Sequence, residues 1–155
     1  MDALKFLKAG HYQIRDLLED LCDADVHAVQ VRSDLLAQAG EALEVHFRIE
    51  TEIFYPAFEH VTERDSDSRM FREALEGHRA VVELLLPDLQ ATYIASEQFC
   101  GRAKVLRQLV ELQIRDEEAE LFPRVKKLLS TADRNVLGER LLQRKQELSG
   151  ESLYS

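Results

Sequence analysis

The chain carries one unit twice, 67 positions apart, and the residues that recur are of the kinds that bind metal ions. Gly10-His11 returns as Gly77-His78, Glu50 as Glu117, and Tyr55-Pro56 as Phe122-Pro123. His46 has Gln113 as its counterpart. Three histidines and two glutamates thus stand at equivalent points of two copies of one unit, and a glutamine holds the fourth histidine position.

Periodicity gives each copy two helices. Leu4, Leu7, His11, Ile14, Leu18 and Leu21 step by alternating three and four, the spacing of one buried helix seam. The same steps run through Leu36, Ala39, Leu43, His46, Glu50, Ile53 and Ala57, then through Phe71, Ala74, His78, Val81 and Leu85. A fourth seam joins Phe99, Ala103, Leu106, Val110, Gln113, Glu117 and Leu121. Every candidate ligand therefore lies on a core seam. With 6 Gly and 3 Pro in 155 residues, and Leu, Glu, Ala, Arg and Gln abundant, composition favours helix throughout.

The breaks are short and polar, over 23–27, 62–68 and 92–97, with Ser66 and Ser96 as candidate N-caps. Short connections force antiparallel neighbours, so an all-α, up-down-up-down four-helix bundle is expected. A short fifth helix is expected over 132–148, capped by Thr131. One bundle domain then spans 1–148, and 149–155 forms a frayed tail. Pro56, Pro87 and Pro123 fall toward helix ends, where a kink or stop is tolerated.

In an antiparallel hairpin, residues at one height are equidistant from the turn. His11 and His46 are equidistant from the bond between Ala28 and Val29, beside the first break. His78 and Gln113 are equidistant from the bond between Ala95 and Ser96, in the third. The centre of His46 and Glu50 mirrors His78 about Glu63, in the second. All six residues fall in one layer of the bundle.

A net charge of −9 leaves no basic stripe for nucleic acid or an anionic membrane. No segment approaches the roughly 20 apolar residues of a membrane span. Met1 to Leu21 interleaves charged and apolar residues, so no secretory signal is expected. Cys22 and Cys100 are isolated and fit reduced thiols, which points to a cytoplasmic protein.

His46 and Glu50, four residues apart on a helix, stack on one face about 6 Å from each other. Glu117 faces inward from the fourth helix, and His11 and His78 enter from the other two. Burying two carboxylates among Leu, Ile and Val costs several kcal/mol each unless a cation compensates them. No Lys or Arg shares the layer, which leaves a metal ion as the simplest partner. Imidazole with carboxylate and no cysteine selects iron, zinc or manganese over calcium or magnesium. Two carboxylates among imidazoles from four helices suit a two-metal centre bridged by Glu50 and Glu117, while His11, His46 and Glu50 alone would make the two-histidine, one-carboxylate set of a mononuclear iron site. Gly10 and Gly77 each cost about 1 kcal/mol in mid-helix and give room for close approach by another group. His27 and His60 lie in a loop and at a helix end, outside the layer. Tyr12 and Tyr55 lie near it and could donate hydrogen bonds to the ligands, with ordinary packing the favoured reading.

The segments from His46 through Glu50 to Tyr55-Pro56, and from Gln113 through Glu117 to Phe122-Pro123, resemble the two H-x-x-x-E…F-P helices of the hemerythrin-like, HHE cation-binding family. Gly10-His11 and Gly77-His78 resemble that family's two single-histidine helices, and the resemblance extends over residues 4–148. It implies a four-helix bundle around a non-haem di-iron centre that binds or senses oxygen or nitric oxide, or handles peroxide. By position His11, His46, Glu50, His78 and Glu117 are the implied ligands. Gln113 departs from the pattern by offering a neutral amide oxygen for an imidazole. The expected cofactor is iron, as two ions, with zinc or manganese as substitutes. The expected partner is a small diatomic ligand or peroxide.

Other assignments weigh less. Ferritin-type iron oxidation needs Glu-x-x-His, and Lys8, Ala24, Leu43, Ala57 and Leu75 stand three residues before the five histidines. A zinc hydrolase lacks a visible general base. The alternative of another class is a mononuclear or metal-depleted bundle acting as a regulatory or interaction module, with Gln113 as its support. Whether there is turnover is not written in the sequence.

Overall fold

Proline decides the winding of three of the five helices in the computed structural model, which describes the backbone of residues 1–154 and the side chains of residues 1–150. Helix α1 is Ala3–Asp23. Helices α2 (29–61), α3 (65–90) and α4 (97–128) are each continuous rods whose regular turns are interrupted once by a π segment, at Glu50–Phe54, Ala80–Leu85 and Glu117–Leu121. Helix α5 is Thr131–Tyr154. The regular winding that resumes after each π segment carries proline in its first turn. Proline has no N–H to donate, and its ring collides with the carbonyl four residues back. The turn before it widens, so that Tyr55, Leu86 and Phe122 donate to carbonyls five residues earlier, at Glu50, Val81 and Glu117.

Each widened turn inserts one residue and rotates everything after it. The seam read through Ile53 and Ala57 passes instead through Phe54, Tyr55 and Phe58, and that read at Leu85 passes through Leu86 and Leu89. Upstream of the π segments the expected seams hold: Leu4, Leu7, Ile14, Leu18 and Leu21 of α1 are buried, as are Ala39 and Leu43 of α2 and Phe99, Ala103, Leu106 and Val110 of α4.

Helices α1 to α4 run up-down-up-down, and α5 packs along α1 and α2. The core is in two parts. One contains Ile14, Leu18, Leu43, Phe47, Val81, Leu106, Val110 and Ile114. The other contains Leu4, Leu7, Ile49, Phe54, Phe58, Leu121, Val125 and Leu141. The polar layer lies between them, with Leu7 and Ile14 flanking His11, and Ile114 and Leu121 flanking Glu117. Truncating one of these fully buried leucines to alanine costs about 2–5 kcal/mol.

Helix starts differ from expectation at two places. Helix α3 begins at Asp65 with Arg64 as N-cap, not with Ser66. The buried Asp67 accepts from the Glu63 and Arg64 amides, each at 3.2 Å, and its other oxygen takes Arg124 Nε of α4 at 2.8 Å. For α5 the capping oxygen is that of Ser130, accepting from Asp133 N at 3.1 Å, and not Thr131. Ser96 caps α4 as expected, accepting from Phe99 N at 3.1 Å. Helix α5, at 24 residues, extends beyond the expected short one. The backbone of the expected frayed tail is helical over 149–154, and the side chains of 151–154 and the last residue lie outside the described ones. In the first half of α5 a Cβ on Gly138 would lie 1.9 Å from the Met1 carbonyl oxygen, so only glycine lets the N-terminus cross α5 there.

Candidate metal centre

The four inner helices each contribute to one buried polar layer. His11, His46, Glu50 and Glu117 each place a ligand atom within 4.8 Å of the others, and all four are buried. His46 Nε2 lies 2.8 Å from Glu50 Oε1, and His11 Nε2 lies 3.7 Å from Glu117 Oε1. His78 borders this group, with Nε2 4.0 Å from Glu50 Oε1. Gln113 is half-buried beside His78, lining a cavity of about 80 Å³ between α3 and α4.

The two glycines before the histidines have equivalent tasks. A Cβ on Gly10 would meet His46 Nδ1 at 2.5 Å, and one on Gly77 would meet Gln113 Nε2 at 1.6 Å. Each gives room to the side chain from the neighbouring helix. Gln113 thus occupies, in the second copy, the place that His46 holds in the first.

Four side chains outside the expected set hold this layer in position. The Tyr55 hydroxyl, fully buried, donates to Glu117 Oε2 at 2.9 Å and lies 3.1 Å from His78 Nε2. Tyr55 thus makes the donor contact that the sequence allowed for beside the favoured packing reading, while Tyr12 is 66 % exposed. The winding explains this: the π turn carries Tyr55 onto the inner face. His11 Nδ1–H donates to Glu118 Oε2 at 2.7 Å, which turns Nε2 toward the centre. Phe47 stacks on the His78 ring at 4.0 Å and Phe122 on the His11 ring at 5.8 Å. The sequence offered one signal for Tyr55, the Tyr-for-Phe difference from Phe122 in the second copy. For Glu118, opposite Thr51 in the first copy, it offered none.

The electrostatics are those of a cluster lacking a positive partner. Burial pushes the Glu117 carboxyl up to about 7, with Glu50 adding to the shift, and burial also raises Glu50. Burial lowers His46 to about 3, aided by His11, and lowers His78 to about 4. Burial also depresses His11, but its contacts with Glu117, Glu50 and Glu118 outweigh that and leave it raised. Desolvation thus leaves His46 and His78 neutral near pH 7, the form that ligates metals. Among the described residues, the buried side-chain polar atoms with no hydrogen-bond partner are Arg32 Nε and seven atoms of this layer: His46 Nε2, both Glu50 oxygens, His78 Nδ1, both Gln113 polar atoms and Glu117 Oε1. His46 Nε2 and Glu50 Oε1 are close without hydrogen-bonding geometry, as expected of donors aimed at a shared third point. A transition-metal cation fits this donor set, since it would satisfy lone pairs that the protein leaves unmatched.

His27 lies in the first loop and His60 near the end of α2, both exposed, so neither joins the layer. Cys22 and Cys100 are free thiols. No helix among the described residues is long and apolar enough to cross a membrane.

Comparison with known proteins agrees with this arrangement. The sequence profile of the hemerythrin HHE cation binding domain matches residues 2–125. An uncharacterized protein of Mycobacterium tuberculosis, Rv2633c, is 26 % identical over 156 aligned positions, covering 100 % of this chain and 92 % of the relative. A Mycobacterium bovis protein, Mb2666c, matches to the same extent. The crystal structure of a hemerythrin HHE cation binding domain-containing protein from Mycobacterium kansasii, described as an Rv2633c homolog, superposes with a TM-score of 0.86 at 25 % identity. It covers 99 % of this chain and 91 % of its own.

Proposed function

This chain belongs to the hemerythrin HHE cation-binding domain family, and from that membership and the donor layer we propose that it holds non-haem iron, as two ions, and binds or senses a small diatomic ligand or peroxide in the cytoplasm. The observation that carries this reading is the convergence of unpartnered buried nitrogen and oxygen atoms from four helices. In this reading His11, His46, Glu50 and Glu117 would hold one ion, and His78 and Gln113, beside the same carboxylates, would hold the other. Bound iron supplies the capacity to bind oxygen or nitric oxide, or to exchange electrons with peroxide.

The chain's own groups define what surrounds that chemistry. Glu118 keeps the His11 proton on Nδ1 and leaves Nε2 free to ligate. The Tyr55 hydroxyl holds a proton against Glu117 Oε2, within reach of any small molecule admitted beside His78. The apolar clusters on either side exclude bulk water and strengthen every polar contact inside.

A mononuclear centre is the second reading, favoured by the fact that the tight four-atom group is complete without His78 or Gln113. Elemental analysis of the purified protein, with visible spectra under air, nitric oxide and peroxide, separates the two. Two irons per chain with oxo-bridge absorption are expected. One iron identifies the mononuclear centre. A chain that retains no metal and takes up none rejects both and leaves the interaction module.

A further inference from the structure

We propose that the cavity between α3 and α4 is the passage by which a divalent cation reaches the buried layer, and that Glu73 and Glu120, with Asp116, form a mouth that draws the ion in. This inference rests on the metal-binding reading above. The cavity is lined at its inner wall by His78, Gln113 and Glu117 and, toward solvent, by the exposed carboxylates of Glu73, Asp116 and Glu120. Among the described residues no Lys or Arg lines it. Among the described residues none of the three outer carboxylates has an ion-pair or hydrogen-bond partner, whereas Asp2, Asp67 and Glu111 each face an arginine. An acidic cluster alone would be a solvated surface. Here its inner end is closed by a histidine that is 7 % exposed and a glutamate that is 8 % exposed, with Nδ1 and Oε1 respectively unpartnered.

Size and charge agree with the passage of a small hydrated ion. A volume of about 80 Å³ has room for a few waters, each needing roughly 10–15 Å³ of such space, so a small ion enters with only part of its hydration shell lost. Carboxylates at the mouth offset that loss as it occurs. A wall carrying one sign of charge also concentrates counter-ions and speeds their association by ~10-fold or more. A second cavity, about 410 Å³, approaches the layer at His46 from the opposite side, but there Lys145 stands with Asp16 and Glu41 and the charge is mixed.

The test is the rate at which the chelator-stripped full chain takes up Co(II), followed by absorbance in stopped flow. Glu73→Gln/Glu120→Gln is compared with Asp16→Asn/Glu41→Gln, which removes the same charge from the mouth of the other cavity. At low ionic strength the first pair should slow association on the order of 10-fold and leave the final number of ions unchanged. The second pair should have little effect. The difference should vanish near 1 M salt, where screening acts within about 3 Å. All four positions are exposed or near the surface, and circular dichroism of each variant verifies its fold; single Gln variants replace any pair that does not fold. Equal rates, or equal slowing by both pairs, overturn the passage while leaving the centre intact. A chain that takes up no Co(II) at all overturns centre and passage together.

Discussion

His11 Nδ1 and Glu118 Oε2 are 2.7 Å apart, and this single bond sets which face of the imidazole looks into the centre. Glu118 is itself held near the Arg15 guanidinium, 3.9 Å away, and Arg15 is anchored through two 2.9 Å bonds to Glu111. Glu118→Ala should leave the bundle folded, because Glu118 lies at the edge of the core. Metal affinity should fall about 10–100-fold, the usual cost of losing a carboxylate behind a ligating histidine. Competition titration against a chelator of known affinity reads the change; an unaltered affinity would show that His11 is oriented without it.

Gly10→Ala tests the space beneath His46. Alanine improves helix propensity by about 1 kcal/mol, yet its Cβ would sit 2.5 Å from His46 Nδ1. Overpacking of this kind costs about 1–3 kcal/mol, and the imidazole must turn away from Glu50. Lower metal affinity with little gain in thermal stability is expected. An alanine variant that is more stable and binds metal normally would mean that the neighbouring helix moves aside freely.

Tyr55→Phe removes the hydroxyl shared by Glu117 and His78. The metal-free protein should lose about 1–3 kcal/mol, because buried acceptors are left unmatched, and loading with metal should recover part of that loss. Denaturant melts with and without metal measure both quantities. Equal destabilisation in the two states would place the hydroxyl's role in packing alone.

Gln113→His restores an imidazole at the place equivalent to His46. The second equivalent of metal should bind more tightly, with the first unaffected. Calorimetric titration resolves the two, and unchanged stoichiometry and affinity would show that the glutamine is not what limits the second ion.

Asp67 provides the pH dependence. The Arg124 guanidinium holds its carboxyl below the ordinary value of 3.8, with burial opposing and the Glu63 and Arg64 amides assisting. Because the folded value lies below the unfolded one, this stabilisation is present in full above the unfolded value and is lost as pH falls through the folded one. Asp67→Asn should lower the melting temperature by several degrees near pH 7 and flatten the fall in stability below pH 4. Thermal melts from pH 3 to 7 test it, and parallel curves for the two proteins would remove Asp67 from the acid response.

Much of this centre is legible in the chain because helix periodicity and antiparallel pairing are local rules. The three-and-four steps through His11, His46, Glu50 and Glu117 place those side chains inward, and distances from the turns put them at one height. Gln113 is recognisable as a departure only because Gly77 and Glu117 keep their copies. The periodic rule fails where winding changes. It points to Ile53 and Leu85, and the widened turns ahead of Pro56 and Pro87 bury Phe54, Tyr55 and Leu86 instead.

The amino-acid order alone determined the all-helical class, the common layer and the residue types within it, since spacing along a helix prescribes which side chains share a face. Only the folded molecule decided that Tyr55 reaches Glu117, that Glu118 steadies His11, and that Gly10 and Gly77 make room for His46 and Gln113. Those relationships join residues from 36 to 107 positions apart, or depend on one added residue in a turn. Their geometry exists only once the helices have packed and their backbones have wound around the prolines.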